Sequence, residues 1–135
     1  MNEKIAIVVS RFNSEITGKM SLAAQKRIKQ QKAKLVKFVE VPGAFEIPFA
    51  VNKLLKDKNI DGVVTLGTVI KGGTDHDQVV AHSVARKLID LSSEHNKPVA
   101  LGISGPNITW EQAKKRTKEY ANRSVDTVIE MIRKG

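Results

Sequence analysis

Four short runs of apolar and β-branched residues alternate with four longer stretches of helical periodicity, and this alternation restricts the fold more than any other feature. The runs predict strands at Lys4–Ser10, Lys34–Val41, Asp61–Ile70 and Pro98–Ile103, with a turn at Ser104–Asn107. The periodic stretches predict helices at Ser14–Gln31, Phe49–Lys58, Asp77–His95 and Thr109–Lys134, the last with a bend near Asn122. This order favours a parallel sheet with helices on both faces, joined by right-handed crossovers. We therefore predict an α/β fold, a three-layer α/β/α sandwich with a four-stranded parallel sheet.

The length and composition predict a single domain covering residues 1–135. Hydrophobic residues make up 41% of the chain and charged residues 27%, which is typical of soluble globular proteins. The absence of cysteine excludes disulfides, thiolate metal sites and cysteine catalysis. No charged-then-apolar leader and no apolar run of ~18 residues is present, so we expect a cytoplasmic protein with no membrane partner.

The net charge of +9, from 23 basic and 14 acidic residues, is compatible with nucleic acid, an anionic surface or a phosphorylated substrate as partner. A nucleic-acid-binding module is therefore one alternative. Aromatic residues make up only 4% of the chain, and the lysines are spread over helical faces instead of forming a compact patch. This distribution favours a solvated helix surface and argues against a nucleic-acid partner.

The stretch Thr65–Val80 carries the strongest candidate site. A buried strand ends at Lys71-Gly72-Gly73-Thr74, and a helical pattern follows, so backbone N–H groups and the helix dipole favour an anion there. His76 lies in the same turn, and histidine is the side chain suited to proton transfer near neutral pH. A plainer interpretation is that the glycines form a turn, that Asp75 and Asp77 cap the helix, and that His76 is an ordinary surface residue.

Other chemically useful side chains also follow strands. Phe12 comes after the first strand, where an aromatic ring covers the core or stacks on a flat ligand, and Glu46 comes after the second. The carboxyl ends of parallel strands meet at one edge of the sheet, which is where ligands bind in such folds. A metal phosphohydrolase using His76, Asp77 and His82 is a further alternative, but the six-residue spacing of the histidines fits no zinc pair and we predict no metal.

Four segments together resemble lumazine synthases, the enzymes of the penultimate step of riboflavin biosynthesis. They are Arg11-Phe12-Asn13, the run from Val41 to Pro48, the run from Gly67 to Gly72 with Thr74 and His76, and Glu111-Gln112-Ala113 before Arg116. The resemblance covers nearly the whole chain in the right order, and the segment Ile103–Pro106 is similar to the archaeal branch. It implies a flavodoxin-like fold.

The resemblance also implies a reaction and a set of site residues. The reaction is condensation of 5-amino-6-(ribitylamino)uracil with 3,4-dihydroxy-2-butanone 4-phosphate, giving 6,7-dimethyl-8-ribityllumazine, phosphate and water, without cofactor or metal. The implied roles are proton transfer by His76; stacking on the pyrimidine by Phe12; contacts to ring and ribityl chain by Ala44, Glu46, Thr68, Val69 and Ile70; and phosphate binding by Gly73, Thr74 and Arg116.

The resemblance further implies a homopentamer whose sites lie between adjacent subunits, with twelve pentamers forming a hollow 60-mer shell as an open alternative. Leu101 is a further substrate-binding residue implied by the resemblance, at the position where bacterial relatives place an aromatic residue from the neighbouring subunit. Lys71 and Gly73 replace a frequent arginine and alanine, and the glycine segment of many shell-forming members is missing around 118–122. The archaeal riboflavin synthases, which share the fold, are a fourth functional alternative; His76, Thr74 and the Phe-Asn pair favour the lumazine enzyme.

Overall fold

The computed structural model describes residues 2–135 and contains one parallel sheet flanked by helices. The strands are β1 (Lys4–Ser10), β2 (Lys34–Val41), β3 (Gly62–Ile70) and β4 (Val99–Ile108). The helices are α1 (Ser14–Gln30), α2 (Ile47–Leu55), α3 (His76–His95), α4 (Trp110–Lys115) and α5 (Thr117–Lys134). Within residues 2–135, no helix combines the length and apolar character needed to cross a membrane.

The strand order is β2-β1-β3-β4, and every neighbouring pair is parallel. The helices α1 and α5 pack on one face of the sheet, and α2 and α3 pack on the other. The predicted three-layer, four-stranded, flavodoxin-like α/β fold is therefore confirmed. Because β1 lies between β2 and β3, the strand order reverses beside β1, and such a reversal opens a crevice at the carboxyl edge of the sheet.

Alternate residues of the central strands supply the two halves of the core. Along β1, Ile5 and Ile7 point toward α1 and α5, whereas Ala6 and Val8 point toward α2 and α3. All four are fully buried, which explains why this strand reads as a continuous apolar run. The edge strand β2 is made of exposed and half-buried residues over most of its length, and only Val41 at its end is buried.

The predicted turn at Ser104–Asn107 is wrong, because β4 continues through it to Ile108. Ser104 pairs with Thr68 and Ile108 pairs with Ile70, with a shift of register between them. The shift is a bulge in which Gly105 has φ 111° and Asn107 has φ 62°. A Cβ atom at Gly105 would overlap the carbonyl oxygen of Val69, so the turn-forming glycine serves a close strand–strand approach.

Two helix predictions also need correction. The second helix begins at Ile47, after a 3₁₀ turn at Ala44–Glu46, and it ends at Leu55 instead of Lys58. It begins early because Pro48 fits the first helical turn, where no N–H is required. The last helix breaks at Arg116, with φ −106° and ψ 13°, and not near Asn122.

Two ion pairs join α5 to the rest of the fold. Arg27 of α1 donates two hydrogen bonds to the carboxylate of Asp126, at 2.8 and 2.9 Å. Near the amino terminus, Glu3 accepts a hydrogen bond from Arg133 Nε at 3.0 Å. That hydrogen bond from Arg133 holds the pKa of the Glu3 carboxyl below its ordinary value of 4.5, against the opposing effect of burial.

Candidate functional site

A cleft of about 600 Å³ opens at the carboxyl edge of the sheet, above β1 and β3. Its lining is mostly apolar, with a few polar groups from four successive segments of the chain. The lining residues are Phe12, Asn13, Gly43, Ala44, Phe45, Glu46, Thr68, Val69, Ile70, His76, Val79 and Val80. The size and the lining are those of a site for a small organic molecule.

Phe12 forms one wall of the cleft. Its backbone N–H donates to Pro42 O at 2.9 Å, which ties the loop after β1 to the loop after β2. The ring lies close against Gly43, and it remains 63% exposed. A large apolar ring with one open face at a cleft wall is suited to stacking on a planar ligand.

The segment after β2 supplies a carboxylate. Glu46 Oε1 accepts the backbone N–H of Gly43 at 2.9 Å, and this bond fixes the side chain across the 3₁₀ turn. The other carboxylate oxygen, Oε2, is not used in this hydrogen bond. Ala44 is 7% exposed and brings the turn close to the core. The arrangement presents a positioned acceptor to hydroxyl or amine donors in the cleft.

The end of β3 forms the floor of the cleft. Thr68 is buried, and its Oγ1 accepts a hydrogen bond from the hydroxyl of Ser104 at 2.7 Å. Val69 and Ile70 are half-buried. Since Thr68 is almost fully buried and its hydroxyl is bonded to Ser104, the floor offers a ligand mainly apolar surface and the backbone.

The loop after β3 is open to solvent. No atom lies within 4 Å of a Cβ built at Gly72 or Gly73, so a ligand can approach the backbone there. Thr74 Oγ1 accepts the N–H of His76 at 3.4 Å. Asp75 occupies the cap position of α3 but forms no side-chain cap hydrogen bond, so this part of the plainer interpretation is wrong.

His76 is the first residue of α3, one position earlier than the helix start predicted from the sequence. Its side chain is exposed and lines the cleft. His82 is exposed farther along α3 and does not line the cleft. Across residues 2–135, no group of three or more His, Asp or Glu side chains is arranged to hold a metal ion.

The structure brings seven of the candidate residues into the cleft: Phe12, Ala44, Glu46, Thr68, Val69, Ile70 and His76. Four others lie outside its lining. Gly73 and Thr74 belong to the exposed loop, Arg116 is exposed between α4 and α5, and Leu101 is 52% exposed on the edge strand β4. Gly73 and Thr74 thus lie on the loop that joins cleft residues Ile70 and His76, whereas Arg116 and Leu101 come from other elements and do not line the cleft.

Sequence reasoning missed several lining residues. Val79 and Val80 were not singled out, although their spacing of three and four residues from His76 places all three on one face of a helix. Asn13 was singled out only as part of the segment Arg11-Phe12-Asn13, with no contact in the site assigned to it; it precedes α1 with φ 62° and makes no side-chain cap bond. Its location directly after β1 could have indicated that Asn13 lines the cleft.

The 6,7-dimethyl-8-ribityllumazine synthase family model matches residues 2–134. A curated 6,7-dimethyl-8-ribityllumazine synthase of Methanopyrus kandleri is 50% identical over 131 residues, which is 97% of this chain and 92% of the relative. The enzyme of the same name from Metallosphaera sedula is also 50% identical, covering 97% of this chain and 87% of the relative. One from Staphylothermus marinus is 48% identical over 98% of this chain and 88% of the relative.

Proposed function

The chain belongs to the 6,7-dimethyl-8-ribityllumazine synthase family, and we propose that it catalyses the reaction for which the family is named, in riboflavin biosynthesis. The substrates are 5-amino-6-(ribitylamino)uracil and 3,4-dihydroxy-2-butanone 4-phosphate, and the products are the lumazine, phosphate and water. The observation that carries this proposal is the match in sequence over nearly the full length, at about half of all positions. The cleft supports it, because its residues suit a flat ring with a polyol chain.

The pyrimidine ring stacks on the open face of Phe12. The apolar lining near Val79 and Val80 excludes water from the other parts of the ring. The ribityl hydroxyls donate to Glu46, whose carboxylate is already oriented by Gly43. Backbone groups at Thr68, Val69 and Ile70 complete the contacts, since the Thr68 side chain is engaged by Ser104.

The phosphate of the second substrate binds at the open loop. Gly73 gives access to the backbone N–H groups, and Thr74 contributes a hydroxyl. The loop leads into the first turn of α3, a helix of 20 residues whose dipole favours an anion at this end. Arg116 supplies the charged partner.

His76 transfers protons between the two substrates. The 5-amino group of the pyrimidine attacks the ketone, and the adduct loses water to form a Schiff base. Phosphate is then eliminated, which leaves a new carbonyl group after tautomerisation. The ribitylamino nitrogen attacks this carbonyl, and loss of a second water closes the ring. Each step moves a proton to or from nitrogen, carbon or oxygen, which an imidazole at the cleft rim is placed to do. Holding both substrates in one cleft supplies the rest of the acceleration.

A neighbouring copy of the chain supplies Arg116 and Leu101 to each site. Both residues lie outside the cleft of their own chain. Large apolar side chains are exposed at Phe45, Phe49 and Ile89, as an interface between copies would require. The proposed assembly is a pentamer closed by head-to-tail contacts, and a shell of twelve pentamers is the larger alternative.

One assay tests the reaction. Purified protein is mixed with the two substrates, and lumazine absorbance and phosphate release are followed together. Formation of both products at equal rates supports the proposal. If neither forms, and the protein converts separately added lumazine to riboflavin, the chain acts as a riboflavin synthase instead.

Light scattering tests the assembly. A particle of ~75 kDa is expected for a closed pentamer, and one near ~900 kDa for the shell. A monomer that retains full activity at assay concentration would contradict the shared site.

A further inference from the structure

A buried carboxylate follows His76 directly in the chain. Asp77 is only 4% exposed, and its Oδ2 accepts the backbone N–H of Asn107 at 2.9 Å. Its Oδ1 is buried and has no hydrogen-bond partner among the described residues. Carboxylates are seldom buried with so few partners, and Asp77 therefore calls for a role beyond helix capping.

The bond to Asn107 closes the loop that precedes α3. At the start of this loop, Lys71 N donates to Ile108 O at 2.9 Å. At its end, Asp77 accepts from Asn107, the residue next to Ile108. Two consecutive residues of β4 therefore hold both ends of the loop. Asn107 has no partner in the pairing of β3 with β4, which leaves its N–H available for Asp77.

Little else fixes the loop between these two bonds. Gly72 and Gly73 are uncrowded, and Asp75 makes no side-chain cap bond. The Thr74 hydroxyl contact with His76 N is long, at 3.4 Å, and stays within the loop. The helix α3 packs on the sheet farther along, through Val84, Leu88 and Leu91. The location of its first residue, His76, therefore also depends on the bond that the neighbouring Asp77 makes to β4.

We propose, resting on the proposed function, that Asp77 is a positioning residue that holds the first turn of α3 to β4 and so fixes His76 at the cleft. Asp77 is buried and does not line the cleft, so it acts through the histidine. For this role Asp77 needs an oxygen that accepts a hydrogen bond, and it does not need a negative charge.

The kinetic test compares Asp77→Ala with Asp77→Asn. Alanine removes the acceptor, and kcat is expected to fall roughly 10-fold, with the KM for the pyrimidine, which binds away from this loop, changed by less than about 2-fold. Asparagine keeps an oxygen for the Asn107 N–H, and kcat is expected to stay within about 2-fold of the parent. Asp126→Ala, which removes the partner of Arg27 far from the cleft, is the matched control and should leave kcat unchanged.

A double-mutant comparison separates positioning from general loosening of the fold. Once His76 is replaced by alanine, adding Asp77→Ala should cost less than about 2-fold more in kcat, because both changes remove the same contribution. A further loss as large as in the parent background would overturn the proposal. So would an Asp77→Asn variant as impaired as Asp77→Ala.

Hydrogen exchange gives a readout that does not depend on activity. The Asn107 amide should exchange faster in Asp77→Ala and remain protected in Asp77→Asn. Unchanged protection in Asp77→Ala would show that Asp77 does not hold the loop. If the parent protein forms no lumazine, the proposed function fails by itself, while the exchange rates still decide whether Asp77 fixes the start of α3.

Discussion

The ring of Phe12 lies so close to Gly43 that a Cβ atom at Gly43 would be 2.7 Å from Cδ2 of the ring. The backbone of Gly43 is extended, with φ −138° and ψ 176°, a conformation open to any residue. Space under the aromatic ring, and not backbone freedom, is therefore what glycine provides at this position. The same glycine donates its N–H to Glu46, so one residue sets both the wall and the acceptor of the cleft.

We expect Gly43→Ala to weaken binding of the pyrimidine substrate without unfolding the protein. The added methyl group displaces an exposed ring that can rotate, so the free energy of unfolding should change by less than about 1 kcal/mol. The KM for the pyrimidine should rise more than that for the ketone phosphate. In a Phe12→Ala background the same change should have little further effect, and an undiminished effect there would contradict displacement of the ring as the cause.

His76→Ala should lower turnover by roughly 10²-fold, the lower end for loss of a general acid–base residue, because the two substrates are reactive on their own. Steady-state kinetics at saturating substrate measures the change. His82→Ala is the matched control, since His82 is exposed on the same helix outside the cleft. Unchanged turnover in a folded His76 variant would assign proton transfer to another group.

Arg116→Ala should raise the KM for the ketone phosphate by about 10-fold or more, since a hydrogen bond to a charged group contributes about 1.5–3 kcal/mol. The KM for the pyrimidine should change much less. Lys115→Ala removes a neighbouring exposed cation and should have little effect on either value. Equal losses for both substrates in Arg116→Ala would indicate a structural role.

Mixed assemblies test whether His76 and Arg116 act from different chains. Chains with His76→Ala and chains with Arg116→Ala are co-expressed in equal amounts. If each site takes His76 from one chain and Arg116 from the adjacent chain, about a quarter of the sites in the mixed assemblies contain both residues. Activity at low ketone phosphate should then exceed that of either variant alone. Activity no higher than the mean of the two separate variants would place both residues in the site of a single chain.

The free energy of unfolding should fall in acid, in part because Glu3 becomes protonated. Its folded-state pKa lies below the ordinary value of 4.5, chiefly because Arg133 donates a hydrogen bond to it. A lowered pKa means that the contribution is present above pH 4.5 and is lost as the pH falls through the folded-state value. Thermal melts of Glu3→Gln across this range should show a smaller decline than the parent. Arg133→Met should flatten the profile in the same way, and a profile unaffected by either change would contradict the assignment.

The strands β1 and β2 could be located from the sequence to the residue, because their apolar runs end sharply at polar residues and turns. The helix cap at Thr109 was also predictable, and the reciprocal bonds with Gln112 confirm it. The course of β4 was not, because Gly105 and Pro106 are local turn signals and the pairing of Ile108 with Ile70 spans distant parts of the chain. A local sequence pattern does not indicate which distant residues pair in a sheet.

In the candidate site, too, some features could be predicted from the sequence and others could not. Phe12, Glu46 and His76 each follow a strand, so sheet geometry alone predicted that they would meet at one edge. The burial of Asp77 could not be anticipated, because its partner Asn107 is 30 residues away and has an unusual backbone conformation. In the proposed assembly, Leu101 and Arg116 reach the site from a second chain, and the sequence of one chain does not give that arrangement.

The bulge in β4 also limits what can add to the sheet. An edge strand attracts other strands by presenting a row of unpaired backbone donors and acceptors. Near the end of β4 that row is interrupted, since Pro106 has no N–H and the N–H of Asn107 is donated to Asp77. A strand from another molecule that paired along β4 would lose its register at these residues. This end of β4 is therefore a poor template for extending the sheet into a fibre.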